Sequence, residues 1–208
     1  MTTRLHRHQL ALLSDAGWQA VMARDWDEQA RACLTHWAAR RLPLVVTRQQ
    51  QQQSDQVALG LPAPQRWGRR RIALAVPRTQ IAWFDEFPEA SALPRLRPLH
   101  AALKSLGITA RIYGSHGWRL LTGLPDHLRD GSDLDLWLAA ADEAQADEAA
   151  ALLASAPAQG PRLDGELVFP DGRAVAWREW LAWRAGAARH LLVKTLHGSL
   201  LCEALEPA

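Results

Sequence analysis

The stretch that decides the fold is Tyr113–Leu138, YGSHGWRLLTGLPDHLRDGSDLDLWL. Gly114 and Ser115 follow the segment ITARIY, whose pattern predicts a strand, and open HGWRLLTG, whose pattern predicts a short helix. The first backbone N–H groups of a helix have no partner within it and lie at the positive end of its dipole. This turn is therefore suited to binding a phosphate, and the Ser115 hydroxyl adds one more donor.

Two carboxylates lie at the other end of this stretch, in SDLDLWLAA, which predicts a second strand. Asp133 and Asp135 are two residues apart, so in a strand they project from the same face. Two such anions repel each other unless a cation lies between them, and carboxylate oxygens are ligands that Mg²⁺ accepts. An exposed acidic face of an edge strand is the alternative, but the Gly-Ser turn one helix upstream favours a magnesium site.

The residues around this stretch predict alternating helices and strands. A helix is expected over Pro94–Leu106, and an alanine-rich helix with an acidic start follows the second strand. RLDGELVFPDGRAVAW then predicts a hairpin that turns at Pro170–Gly172. Two closing helices are expected, over Trp177–Arg184 and Ala187–Leu205. The fold class is α/β (α+β), with a small mixed sheet flanked by helices.

The N-terminal part predicts a smaller α+β unit of its own. A helix over Asp25–Arg41 has acids in its first turn and arginines in its last, as the helix dipole favours. The strands LVV and VALGL are separated by Gln49–Gln53, expected to be an exposed loop, and IALAV is a further strand. The proline-containing stretch 77–94 is a plausible boundary, so we expect a basic domain over 1–78 and a catalytic domain over 79–208.

Charge is distributed unevenly between these two parts. Residues 1–78 carry a net charge of +7 and residues 79–208 one of −5. This asymmetry suggests an anionic partner for the first part, although a cluster such as Arg69–Arg71 is more often a solvated edge than a phosphate-binding or protein-docking site. No apolar run is long enough to span a bilayer and no signal peptide is recognisable, so a cytoplasmic protein without membrane contact is expected.

Three segments together resemble one known family. Tyr113–Leu138, the later LDGELVFPDGRAVAWREW and the N-terminal PLVVTRQ are similar to malonate decarboxylase holo-acyl-carrier-protein synthases, also called phosphoribosyl-dephospho-CoA transferases. The Gly-Ser helix and the Asp-x-Asp strand also resemble those of the wider nucleotidyltransferase superfamily. The resemblance extends from about Arg7 to the C-terminal residues and includes the family's separate N-terminal domain.

The resemblance implies a reaction and a set of residues. It implies transfer of 2'-(5''-phosphoribosyl)-3'-dephospho-CoA from its triphosphate precursor to a serine of the apo acyl-carrier subunit of malonate decarboxylase, with release of pyrophosphate. Asp133 and Asp135 carry over as the metal-binding pair for Mg²⁺, and Gly114 and Ser115 as the triphosphate-binding turn. Seventeen residues separate Ser115 from Asp133. This spacing is longer than is usual in the superfamily, so the loop LPDHLRDG has to be accommodated above the site.

Further site residues are expected with alternatives. Asp164 and Glu166 are candidates for a third carboxylate, and Asp164 is favoured because superfamily members place this acid early on the following strand, where it helps deprotonate the serine. Lys194 shares a face of the expected last helix with His190 and His197, and either contacts pyrophosphate or is solvated. The remaining candidates for phosphate binding are His116 and Arg119, each of which is equally suited to a structural role.

Two other functions remain open at this stage. One is a nucleotidyltransferase that uses an ordinary nucleoside triphosphate on a small molecule or a protein. The other is a noncatalytic module that binds acidic proteins or RNA through its arginine-rich first part. The intact carboxylates argue against the second. Nucleic-acid binding is not expected either, because the acidic second part would repel a polyanion.

Overall fold

The structure is a computed structural model that describes residues 4–50, 55–157 and 160–205. Its contacts divide the chain into two units. One contains the residues up to Phe87 together with Trp118–Arg129, and the other contains Pro88–Gly117 together with the residues from Asp130 onward. Each unit has its own sheet, which confirms the α+β class.

The first unit is built on an antiparallel five-stranded sheet. Its strands are β1 (Leu10–Leu13), β2 (Leu44–Val46), β3 (Gln56–Pro62), β4 (Arg71–Pro77) and β5 (Ile81–Asp85), in the order β4-β3-β2-β1-β5, and its helices are α1 (Asp15–Met22) and α2 (Glu28–Ala39). Residues of β4 alternate between exposed and buried, as a strand with one face on the core requires. The Asp27 side chain accepts from the Ala30 N–H and caps α2, so the expected helix starts three residues later than Asp25.

Strand β5 lies beyond the boundary expected after Arg78. It pairs antiparallel with β1, from Leu10 opposite Asp85 to Leu13 opposite Ile81. The proline-containing stretch therefore begins with a strand of the first sheet, and the division in the structure comes after Phe87. A strand is assigned to a sheet by its hydrogen-bonding partner, and the local sequence does not specify which partner it finds.

The glutamine run differs from expectation where the structure describes it. Gln49 is buried, and its side-chain amide donates to the carbonyls of Thr47 and Ala58 and accepts from the Ala58 N–H. Gln49 thus joins the ends of β2 and β3, while Gln50 is exposed. The expected loop residues Gln51–Gln53 lie outside the described residues.

The second unit contains a six-stranded mixed sheet. Its strands are β6 (Thr109–Tyr113), β7 (Leu134–Ala139), β8 (Leu163–Val168), β9 (Ala174–Ala176), β10 (Leu191–Lys194) and β11 (Ser199–Cys202), in sequential order across the sheet. The helices are α3 (Arg97–Ser105), α4 (Gly114–Thr122), which continues into the first unit, α5 (Glu143–Ser155) and α6 (Trp177–Arg184). Among the strand pairs that the structure describes in this sheet, only β7–β8 is parallel, because α5 carries the chain from the end of β7 back to the start of β8.

One face of this sheet is packed against helices. Leu134, Leu136 and Leu138 of β7 are fully buried in a core shared with residues of α3, α5 and α6. Trp177 and Trp180 also lie in this core. Since strand residues alternate, Asp135 and Trp137 project from the opposite face.

The helix expected over Ala187–Leu205 is wrong. The chain instead forms β10 and β11, an antiparallel hairpin in which Lys194 lies opposite Ser199. Leu191 and Val193 are buried and alternate with partly exposed Leu192 and Lys194, which is the period of a strand. The turn is closed by the Thr195 N–H, which donates to the Gly198 carbonyl at 2.7 Å.

Candidate active site

Gly114 brings the predicted phosphate-binding turn against a predicted metal ligand. Strand β6 ends at Tyr113 and α4 begins at Gly114, with no residue between them. Gly114 has φ +61°, and a Cβ atom at this position would lie 2.0 Å from Oδ2 of Asp135. Glycine is therefore required here by space as well as by backbone conformation, because the main chain lies directly beside the carboxylate.

Three carboxylates share one face of the second sheet. Tyr113 of β6 and Asp164 of β8 are the cross-strand neighbours of Asp135. Glu166 is two residues beyond Asp164 on the same face. Asp133 lies immediately before β7, so the pair expected from one strand is split between the strand and its entrance.

The crowding of carboxylates in this cluster is reflected in the pKa of Asp135. Burial and then the charges of Asp164, Asp133 and Glu166, in that order, together raise its pKa to about 6, with Arg162 opposing them. Desolvation and like charges both disfavour the ionised form. The site is therefore short of positive charge around Asp135.

Gly165 explains how Asp164 comes to lie beside Asp135. Its φ is +138°, and a Cβ atom here would lie 1.9 Å from the carbonyl oxygen of Leu136 on β7. The Gly165 N–H also donates to Oδ1 of Asp164 at 2.9 Å. Sequence analysis missed this residue, although a glycine inside a strand and between two acids is itself a signal of close backbone approach.

Glu166 is paired inside the protein. Its side chain is only 5% exposed and accepts a hydrogen bond from Nζ of Lys194 at 2.8 Å. Lys194 thus reaches the expected site, but from strand β10. The helical face that was expected to join it to His190 and His197 does not exist. His190 precedes β10, and its Nε2 lies 3.5 Å from Oε1 of Glu203. His197 lies in the turn between β10 and β11.

Arg162 is a site residue that sequence analysis did not identify. Its Nε donates to Oδ1 of Asp133 at 3.0 Å, and its Nη2 donates to Oδ2 at 2.6 Å. The same Nη2 lies 3.5 Å from Oδ2 of Asp164. The signal in the sequence was weak, since this is one arginine among many, directly before a strand.

The other expected phosphate ligands lie along α4. Ser115 is half-buried in its first turn, and Arg119 is exposed one turn later, so the two share a helix face. His116 is buried. Their roles towards phosphate remain predictions, with Arg119 the most accessible of the three.

The long spacing between Ser115 and Asp133 has a structural explanation. Trp118–Arg129 belongs to the first unit, where His127 stacks on Trp118 with the ring centroids 6.2 Å apart. Asp126 accepts from Nε and Nη2 of Arg66 at 2.9 and 2.7 Å, and this guanidinium lowers its pKa. The loop LPDHLRDG therefore has packing partners of its own.

The carboxylates of this cluster are oxygen donors of the kind that a hard divalent cation prefers. Within the described ranges, no three His, Cys, Asp or Glu side chains already converge as a complete metal site. Asp135 and Asp164 are nevertheless adjacent oxygen donors in a place short of positive charge. The chemistry fits Mg²⁺, and Asp133 would complete the set by leaving Arg162.

No helix within the described residues is both long enough and apolar enough to cross a membrane. No solved structure matches the chain at a significant level.

Two family models together cover almost the whole chain. The phosphoribosyl-dephospho-CoA transferase MdcG N-terminal domain matches residues 6–87, and the corresponding C-terminal domain matches residues 74–204. The first match ends at Phe87, where the first segment of the first unit also ends.

Curated relatives agree with the family models. A phosphoribosyl-dephospho-CoA transferase of Bradyrhizobium diazoefficiens is 37% identical over 208 residues, covering 95% of this chain and 89% of the relative. Proteins of the same name from Xanthomonas euvesicatoria and Xanthomonas campestris are 36% and 35% identical, covering 91% and 94% of this chain and 90% and 92% of the relatives. With both domains matched and relatives aligned over nearly their full length, the chain belongs to the phosphoribosyl-dephospho-CoA transferase family and is a transferase.

Proposed function

We propose that this protein transfers 2'-(5''-phosphoribosyl)-3'-dephospho-CoA from its triphosphate precursor to a serine of the apo acyl-carrier subunit of malonate decarboxylase, releasing pyrophosphate. The observation that carries the proposal is the placement of Asp135 between the Gly114 backbone and Asp164. This arrangement joins a phosphate-binding turn to a carboxylate pair. The family name of its relatives supports the donor.

The reaction exchanges a phosphoanhydride bond for a phosphodiester bond. The serine oxygen of the carrier forms a bond to the phosphorus of the ribose 5''-phosphate, and the bond from that phosphorus to the pyrophosphate oxygen breaks. Enzymes that transfer phosphoryl groups act mainly by aligning the groups and neutralising charge. In this proposal the N–H groups at the start of α4 and the Ser115 hydroxyl would hold the triphosphate, and Arg119 lies on the same helix face.

The carboxylates have separate roles in this proposal. Asp133 and Asp135 would hold Mg²⁺ with Asp164 nearby, and the bound cation would supply positive charge to the polyphosphate. Asp164 would accept the serine proton, because it is half-exposed and reachable by an incoming hydroxyl. Lys194 is engaged by Glu166, so in this proposal it supports the site through that pair.

The experiment that tests the proposal uses the purified protein, the triphosphate donor, Mg²⁺ and the apo carrier subunit. Intact-mass spectrometry should show the carrier gaining the phosphoribosyl-dephospho-CoA mass, with stoichiometric pyrophosphate. Asp164→Asn should reduce the rate by at least a hundredfold, whereas Asp130→Asn, an exposed aspartate before the site, should retain it. No mass gain with the wild-type protein would refute the assignment.

A parallel reaction with ATP in place of the donor tests the alternative. The same carboxylates and turn would serve an ordinary nucleoside triphosphate, since both substrates present a polyphosphate. Nucleotidyl transfer to the carrier or to a small molecule at a comparable rate would favour this second function.

A further inference from the structure

In the metal-free protein, the positively charged Arg162 contacts carboxylates that are predicted to bind the metal. Its guanidinium contacts both oxygens of Asp133, at 3.0 and 2.6 Å, and extends to within 3.5 Å of Asp164. This is the forked geometry in which arginine binds carboxylates most strongly. A divalent cation would need the same oxygens.

The position of Arg162 is set by the sheet, while its head remains accessible. Its carbonyl accepts a hydrogen bond from the Leu134 N–H at 2.9 Å, which holds the backbone beside the entrance of β7. The side chain is 59% exposed, and Asp133 is 34% exposed. Exposed pairs contribute little net free energy, about 0–1 kcal/mol. The guanidinium can therefore exchange Asp133 for another anion at low cost.

Lys194 and Arg162, the two cationic side chains described at the carboxylate cluster, differ in how far their partners are buried. Lys194 pairs with Glu166, whose side chain is almost fully buried, whereas Arg162 pairs with the half-exposed Asp133 at the entrance. A buried charge that loses its partner carries a large penalty, so the Lys194 pair is expected to persist. Arg162 is thus the cation suited to leave when another arrives.

We propose that Arg162 is a positioning residue that competes with the divalent cation for Asp133 and is released to the polyphosphate of the donor. The consequence is that metal alone binds weakly, and metal together with donor binds well. The inference rests on the proposed metal-dependent transfer. It concerns only noncovalent contacts, so no bond is made or broken.

The test measures the binding of Mn²⁺ alone, by electron paramagnetic resonance or calorimetry, to the full-length protein. Arg162→Met should bind Mn²⁺ at least tenfold more tightly than wild type, because Arg162 no longer competes for Asp133 and a repelling charge is removed. The matched control is Arg178→Met, which removes the same charge from an exposed arginine that donates to the Leu163 carbonyl and does not pair with the carboxylates. It should bind Mn²⁺ as wild type does. Arg162→Met should also raise the KM for the donor at saturating Mg²⁺ by about tenfold.

The outcomes separate this inference from the function it rests on. A merely structural role for Arg162 predicts weaker metal binding on substitution, so unchanged or weaker Mn²⁺ binding by Arg162→Met would overturn the inference. Tighter Mn²⁺ binding with an unchanged donor KM would overturn release to the polyphosphate. Asp135→Asn reports on the metal site itself. Wild-type Mn²⁺ binding by that variant would contradict the proposed metal-dependent transfer.

Discussion

Gly114 shows how much one missing methyl group contributes to this site. The residue combines φ +61° with a backbone that lies against Asp135, so its substitution has two separable costs. The backbone cost is about 1–2 kcal/mol for a residue with a Cβ in the left-handed region. The steric cost falls on the Asp135 carboxylate, which has to move.

Gly114→Ala is expected to abolish transfer and weaken Mn²⁺ binding while the protein still folds. Gly123→Ala is the matched control, since Gly123 has φ +71° with no atom within 4 Å of a built Cβ. Both variants should lose similar backbone stability in urea unfolding, and only Gly114→Ala should lose metal binding. Equal activity of the two variants would show that the contact with Asp135 is unimportant.

Asp135 should make the metal-free protein less stable as pH rises. Its pKa is raised from 3.8 to about 6, so between these values the folded state binds more protons than the unfolded state. The stabilising contribution is complete below pH 4 and is lost as pH rises through 6. After allowance for solvent screening, about 1–2 kcal/mol is at stake.

Asp135→Asn should therefore unfold at a higher urea concentration than wild type at pH 7.5 in EDTA, and at a similar concentration at pH 4. Adding Mg²⁺ should raise the melting temperature of wild type and leave that of the variant unchanged. Asp130→Asn, which removes an exposed carboxylate, should show neither effect. A pH-independent difference between Asp135→Asn and wild type would exclude ionisation of the buried Asp135 carboxyl as its cause.

At the scale of elements, the hairpin of β10 and β11 supplies the cation for a buried acid. Lys194→Met should destabilise the protein by about 3 kcal/mol, because it removes the cation that pairs with the buried Glu166 carboxylate. The double variant with Glu166→Gln should recover most of that loss. Lys104→Met, which removes the exposed lysine of α3, is the control. If Lys194 acted mainly on pyrophosphate, Lys194→Met would keep its stability and lose only activity.

At the scale of the whole molecule, Trp118–Arg129 returns to the first unit and brings a buried histidine with it. His127 is 7% exposed and lies between Trp37 and Trp118, with ring centroids about 6 Å from each. Burial lowers its pKa from 6.5 to about 4. The unfolded state therefore binds more protons in this range, and stability is lost as pH falls from 6.5 through 4.

His127→Phe should flatten this part of the pH profile. Phenylalanine keeps the aromatic contacts and does not titrate. The free energy of unfolding of the variant should therefore rise relative to that of wild type by about 2–3 kcal/mol from pH 7.5 to pH 4. Urea unfolding at several pH values measures this change. Parallel stability profiles of the variant and wild type would mean that His127 has the same pKa in the folded and unfolded states, which would contradict the prediction.

Some arginines of the basic first part form contacts within the first unit itself. Arg70 pairs with Asp27, the cap of α2, at 2.6 Å. Arg69 donates to the carbonyl of Leu128 and to Gln65. Arg71 is exposed at the start of β4. Net charge over a stretch of sequence therefore overstates the charge available to a partner.

Sequence patterns by themselves determined most of the local structure. The period of apolar residues identified β6, α4, β7, the α5 helix and the β8–β9 hairpin, because strand and helix periods are local properties. They also predicted the Gly-Ser turn and the Asp-x-Asp pair, since these residues are adjacent in the chain. The same patterns failed at Ala187–Leu205, where apolar residues dense enough for a helix form a hairpin whose second strand lies at the sheet edge.

What only the tertiary structure decided is which distant residues meet. The register of β7 and β8 places Asp164 beside Asp135, and it depends on the missing Cβ of Gly165. Arg162 reaches Asp133 across 29 residues of sequence, and Lys194 reaches Glu166 from another hairpin. Such pairs arise from strand pairing and burial, whose energies depend on the whole fold, so no local pattern specifies them.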